Sequence, residues 1–265
     1  MRIQRLLIQI SSMVVFMLLW NGCQAIPKEK VEFASPGKSS APSFALVELF
    51  TSEGCSSSPP ADDLLAEIVA EFRARNQPVF ALAFHVDYWN SLGWEDPFST
   101  SAYSERQRRY AQVSDSRLVY TPQMIVNGKQ EFVGSSRAKA YRSIKSALAQ
   151  PAQITLTLGK SKTSHDRFLA LDYEVSQALT DAVLHIALVE QGIVQQVPRG
   201  ENAGRTLRHE NVVRVLKTVS LNKTLQGQVL LPIPSSIVLE NSSVIGYVQD
   251  STTMRVLAAA TLDWL

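Results

Sequence analysis

Cysteine is nearly absent from this sequence: 2 in 265 residues, Cys23 and Cys55. If Cys23 is consumed by membrane anchoring or removed with a leader, no intramolecular disulfide can form in the mature chain. Past residue 22 there is no apolar run near the roughly 20 residues that cross a bilayer. Excess charge is also missing. The formal net charge is +2, and loss of Arg2 and Arg5 with a cleaved leader brings it to zero. No basic stripe remains, which excludes nucleic acid as a partner. No segment recurs at a fixed period. What the chain does have is 45% hydrophobic residues, enough for one large domain or two modest ones.

Residues 1–22 carry Arg2 and Arg5 ahead of the apolar run Leu6–Trp20, the layout of a secretory signal peptide. Leu18-Leu19-Trp20-Asn21-Gly22-Cys23 is similar to a bacterial lipobox, although Trp20 and Asn21 depart from the usual small residues. It implies lipidation at Cys23, against ordinary cleavage after Ala25. Residues 23–43, rich in Pro, Ser and Gly, read as a flexible tether from that anchor. The expected address is the bacterial cell envelope, facing the periplasm. Cys55 is then the one thiol of an exported chain, and a free cysteine in an oxidising compartment is a liability unless it is buried or used.

The chain is organised around Val47-Glu48-Leu49-Phe50-Thr51-Ser52-Glu53-Gly54-Cys55-Ser56-Ser57-Ser58-Pro59-Pro60. A buried strand over 44–50 runs into a polar turn, and Ser58-Pro59 opens a helix, since proline suits a first helical turn. Cys55 then lies just before a helix N-terminus, where orphan N–H groups and the macrodipole favour a thiolate. Downstream, Leu64, Leu65, Ile68, Val69 and Phe72 keep helical spacing, and 79–86 is a continuous apolar run typical of a central strand. A polar helix over 99–111, a hairpin at Asn127-Gly128 and an amphipathic helix over 135–148 follow. Beyond Pro151 the pattern changes to seven strand candidates: 154–158, 168–175, 183–194, 212–221, 228–233, 242–248 and 255–264. Residues 44–150 and 151–265 are therefore expected to be two domains, the second an antiparallel sandwich-like β domain.

The run Glu48–Asp62 around Cys55 resembles the DUF1223 family of secreted bacterial proteins and, more broadly, the thioredoxin-like superfamily. Three further runs carry the DUF1223 resemblance: Ala83-Phe-His-Val-Asp-Tyr-Trp89 with Leu92-Gly-Trp-Glu-Asp-Pro-Phe98, Tyr120-Thr-Pro-Gln-Met-Ile-Val-Asn-Gly128, and Arg199–His209. Together they span roughly residues 44–265. The resemblance implies an α/β thioredoxin-like fold for the first domain, with a Cys-x-x-Cys site whose second position is here Ser58. It also implies that Pro122 is a cis proline beside the reactive cysteine, shaping a groove for a substrate segment.

Without a second cysteine, dithiol chemistry within the chain is excluded, because a serine hydroxyl cannot resolve a mixed disulfide. Cys55, Ser58 and Pro122 are the candidate catalytic set, with Ser58 placed to hydrogen-bond the sulfur. His85 and Asp87 alternate onto one side at the carboxyl end of the strand expected over 79–86, the edge where α/β sheets carry ligands. His85 is expected to orient the loop, and Asp87 and Arg205 are possible supporting residues. Arg205 belongs to the polar run 199–211, which is either a solvated connection or a functional loop folded against the first domain.

The leading expectation is monothiol exchange, or trapping of an envelope protein or small thiol as a mixed disulfide on Cys55, with no cofactor and no metal. Alternatives are a non-catalytic binding module of the envelope, and copper handling through Cys55 and His85. One cysteine and one histidine are too few ligands for a confident soft-metal site.

Overall fold

The structure, a computed structural model, describes residues 41–114, 116–161 and 167–263. The expected signal peptide, Cys23 and nearly all of the expected 23–43 tether lie outside the described residues. The amino-terminal part runs β1 (Ala45–Thr51), α1 (Pro59–Ala74), β2 (Val79–His85), α2 (Ser101–Val113), β3 (Gln123–Val126), β4 (Gln130–Val133) and α3 (Arg137–Leu148). Then come β5 (Leu156–Lys160), β6 (Phe168–Val175), β7 (Ala182–Glu190), β8 (Ile193–Gln196) and β9 (Thr206–His209). The chain closes with β10 (Val212–Ser220), β11 (Gln226–Pro232), β12 (Ser242–Asp250) and β13 (Val256–Asp263).

Local chemistry accounts for these elements. Pro59 and Pro60 occupy the first turn of α1, where no intrahelical N–H is needed, and its buried face is Leu64, Leu65, Ile68 and Phe72. Thr100 caps α2 through its side chain, which accepts the Ala102 N–H. Asn127 and Gly128, both at positive φ, turn β3 into β4. The expected single strand over 183–194 breaks at Gln191-Gly192, where Gly192 takes a φ of 65°, and continues separately as β8.

The expected fold, a thioredoxin-like α/β domain followed by a separate all-β domain, does not form. The chain is predominantly β, and one mixed sheet runs through both halves in the order β13-β12-β7-β10-β2-β1-β3-β4. The join is between β10 and β2, which run parallel with Val212 opposite Ala83. Asn211 reinforces it: its carbonyl accepts the Ala83 N–H at 2.9 Å, and its side-chain amide donates to the Ala81 carbonyl at 2.9 Å. The edge of β2 that a separate domain would leave open is thus taken by a strand from beyond residue 200.

One face of the sheet packs against α1 and α3 through Val47, Leu49, Ala83, Ile68 and Ile144. The opposite face carries Phe50, Phe84, Tyr247 and Val189, with Tyr103 and Tyr110 of α2 against them. A three-stranded sheet, β11-β6-β5, builds another core with Leu184, Ile186 and Leu188 of β7 and Val244 and Val248 of β12. The β8–β9 hairpin stands apart from both sheets and reaches α1.

Candidate functional site

Between β1 and α1 the chain makes a turn whose backbone is closed by two hydrogen bonds. The Cys55 N–H donates to the Ser52 carbonyl at 3.1 Å, and the Ser58 N–H donates to the Cys55 carbonyl at 3.1 Å. Cys55, the one cysteine among the described residues, is a free thiol with 1% of its surface exposed. Its sulfur lies 3.1 Å from the Ser57 hydroxyl and 3.8 Å from the Thr121 carbonyl, to which it is placed to donate. Ser57 also donates to that carbonyl at 3.5 Å. The Thr121–Pro122 bond is cis, and the Trp89 indole N–H donates to the Thr121 hydroxyl at 2.8 Å.

Ser58 stands at a different task from the one its spacing indicates. It is buried at the N-cap of α1, and its hydroxyl has no hydrogen-bond partner among the described residues. Ser57, one residue earlier, meets the sulfur instead. Asp87 is engaged by α2, accepting the Ser104 hydroxyl at 2.5 Å. His85 is wholly buried and held through Nδ1 by Asp96 at 2.7 Å. Although burial opposes it, His85 and the amides of Glu53 and Phe98 hold the Asp96 carboxyl below its ordinary range. Among the described residues no group of three or more His, Cys, Asp or Glu side chains is arranged to hold a metal ion.

The polar run 199–211 folds onto the cysteine turn. Glu201 accepts both the Ser56 amide at 3.0 Å and the Ser56 hydroxyl at 2.7 Å, and these bonds hold its carboxyl below the usual value. Asn202, fully buried, donates to the carbonyls of Glu53 (2.8 Å) and Cys55 (3.0 Å). Arg205 fixes that amide by donating to its oxygen at 2.8 Å, so Arg205 acts on the site through Asn202. Gly200 allows the approach: it sits at a φ of 78°, and a Cβ there would lie 3.0 Å from the Trp94 Cβ.

Beneath the turn lies a buried polar chain that sequence reasoning missed. Glu53, with no exposure, accepts the Trp94 indole N–H at 2.8 Å through one oxygen and faces His209 Nε2 at 3.0 Å through the other. His209 Nδ1 has no hydrogen-bond partner among the described residues and points at an Asp62 oxygen 4.0 Å away. Burial pushes the Asp62 carboxyl up to about 7, against the pull of His209 and of the Thr51 hydroxyl that it accepts at 3.1 Å. The His85 and His209 rings meet edge to face with centroids 4.8 Å apart. Glu53, Asp62 and Asp96 all lie within the runs quoted above. A carboxylate next to a buried turn was the signal available.

These residues define a class before any relative does: a mixed-sheet protein with an occluded thiol, its turn clasped by a distant hairpin. The chain belongs to the family described as a protein of unknown function, DUF1223, which matches residues 46–249. A crystal structure of a protein from Agrobacterium tumefaciens superposes with a TM-score of 0.65 at 23% identity, covering 86% of this chain and 97% of that one. It shows that the fold is shared. A domain of the outer membrane lipoprotein Omp28 from Porphyromonas gingivalis, at 16% identity and a TM-score of 0.25, covers 42% of this chain and 88% of its own and carries no argument. No curated protein matches. Among the described residues, no helix is long and apolar enough to cross a membrane.

Proposed function

We propose that this is an exported, lipid-anchored protein that forms a mixed disulfide through Cys55 with an envelope protein or a small thiol. The observation that carries the reading is the setting of the sulfur. It lies between the Ser57 hydroxyl and the Thr121 carbonyl, in a turn closed by its own backbone bonds and held by Asn202 of the 199–205 loop, while Trp89 in turn holds Thr121. A cysteine that merely filled space would need none of this polar construction, since buried free cysteine packs as a small hydrophobe.

In the reaction the Cys55 thiolate attacks one sulfur of a partner disulfide. The partner S–S bond breaks, a bond from Cys55 to that sulfur forms, and the departing thiolate takes up a proton. With no second cysteine at position 58, an external thiol must release the adduct. The Ser57 hydroxyl is placed to donate to the attacking thiolate, and the Thr121 carbonyl to accept from the resting thiol. Ser58 ends the turn at the N-cap of α1, and Pro122 follows the Thr121 carbonyl that faces the sulfur.

A second reading, a non-catalytic binding module, draws on the near-complete burial of Cys55. Incubation of the full chain carrying Cys23→Ser with glutathione disulfide, read by intact mass, decides between the two. Stoichiometric glutathione addition that Cys55→Ala abolishes is the expected result. No adduct in the native protein, with addition only after unfolding, would leave the binding module as the reading.

A further inference from the structure

His209 stands between two buried carboxylates, Glu53 on Nε2 at 3.0 Å and Asp62 opposite Nδ1 at 4.0 Å. A neutral imidazole carries one N–H and can satisfy only one of them. If Nε2–H serves Glu53, a bare Nδ1 lone pair faces the Asp62 carboxylate, and nothing else among the described residues bonds that nitrogen. One proton more, on the imidazole or on either carboxyl, gives every facing pair a donor and an acceptor. Buried charge without such pairing is costly.

We propose that Glu53, His209 and Asp62 hold one shared extra proton, and that this proton latches β9 and the 199–205 loop onto the Cys55 turn. The three groups come from three places: the turn after β1, helix α1 and strand β9. The proton therefore ties the hairpin to both sides of the cysteine. Its loss sets an ionised Asp62 against an unprotonated nitrogen, loosens the hairpin, and uncovers the thiol.

The other charges facing the triad are accounted for. Asp96 and Asp63 raise Asp62 further, whereas the Thr51 hydroxyl stabilises its ionised form. Asp96 is itself engaged by His85 and by the Glu53 amide. Trp94 holds the second oxygen of Glu53. Phe98 lies against both histidine rings, and Arg214 of β10 lies 5.3 Å from the Phe98 ring centre while paired with Glu190. The raised Asp62 carboxyl, at about 7, places the release near neutral pH.

That release uncovers a reactive group rests on the thiol-exchange reading; the shared proton does not. Carboxyl-13C aspartate and 15N histidine labelling of the full chain reads the proton directly. An Asp62 carboxyl signal with its midpoint near pH 7, with the His209 15N signals changing in step with it, is the expected result. An Asp62 signal titrating near 3.8, independently of His209, would overturn the proposal. Cys55 alkylation in the Cys23→Ser chain reads the latch. Relative to Asp62→Asn, whose amide keeps a donor in place at every pH, the wild-type rate should gain about five-fold on passing upward through pH 7, the size of one hydrogen bond lost. A ratio that does not change with pH overturns the latch. If Asp62→Asn fails to fold, His209→Gln serves the same comparison, and the NMR titration needs no variant. Absence of glutathione exchange together with co-titration would refute the enzymatic reading alone.

Discussion

Glu48 and Glu53 are five residues apart, both completely buried, and they end up in opposite kinds of company. Glu48 meets Arg106 at 2.6 Å and the Tyr110 hydroxyl, and Arg106 also donates to Gln249 and Tyr110 at 3.1 Å each. The guanidinium lies over the rings of Phe84, Tyr110 and Tyr247, 5.2–5.4 Å from their centres. The guanidinium never loses its proton in water, so the positive charge beside Glu48 is permanent. Glu53 instead faces histidine, with a second carboxylate beyond it. The same residue type thus builds a permanent strut under α2 and a responsive joint under Cys55, and the difference is the titratability of the partner.

Breaking the strut should have the largest effect. Arg106→Ala leaves the buried Glu48 without its cation, with the Tyr110 hydroxyl still beside it, a loss of about 3–5 kcal/mol, measurable by chemical denaturation. Replacing both residues with apolar ones of similar volume should recover most of it. If Arg106→Ala costs no more than a surface substitution, the distinction between the two clusters collapses.

The joint should reveal itself through pH. Asp62 has a folded value of about 7 against 3.8 in the unfolded chain. Its protonated form therefore contributes stability that is fully present below about 4 and lost as pH rises to about 7. Asp62→Asn removes that loss, so variant stability minus wild-type stability should climb across this window, by at most about 4 kcal/mol. The opposite slope from Asp96, depressed in the fold, is common to both proteins and cancels. A flat difference would remove Asp62 from any pH response of the fold.

Smaller effects are expected at the clasp. Asn202→Ala deletes two hydrogen bonds to buried carbonyls and should cost about 1–3 kcal/mol, with faster alkylation of Cys55. Glu201→Ala, at the exposed end of the same loop, should leave thermal stability unchanged and raise the alkylation rate only slightly.

Much of this was legible from residues alone. The polar turn at Cys55, the proline start of α1, the Asn127-Gly128 hairpin and most strand positions follow from short-range patterns of spacing and turn chemistry. Their assembly does not. The pairing of Val212 with Ala83 is a single parallel register, and no local pattern in β2 or β10 announces a partner so distant in sequence. The same distance hid Glu53 and Asp62, whose roles are set by His209. It also hid the use of Ser57 rather than Ser58, because which hydroxyl of Ser56-Ser57-Ser58 meets the sulfur depends on the turn's backbone.

The seam between β2 and β10 also fixes the order of events as the chain is made. β2 can pair with β1 early, but its other edge waits for residues beyond 210, and an open edge of this kind templates pairing with other chains. Contacts of such sequence separation close slowly. The interval between emergence of the first half and arrival of β10 is therefore the chain's most exposed moment, and a holdase would have most to protect at β2.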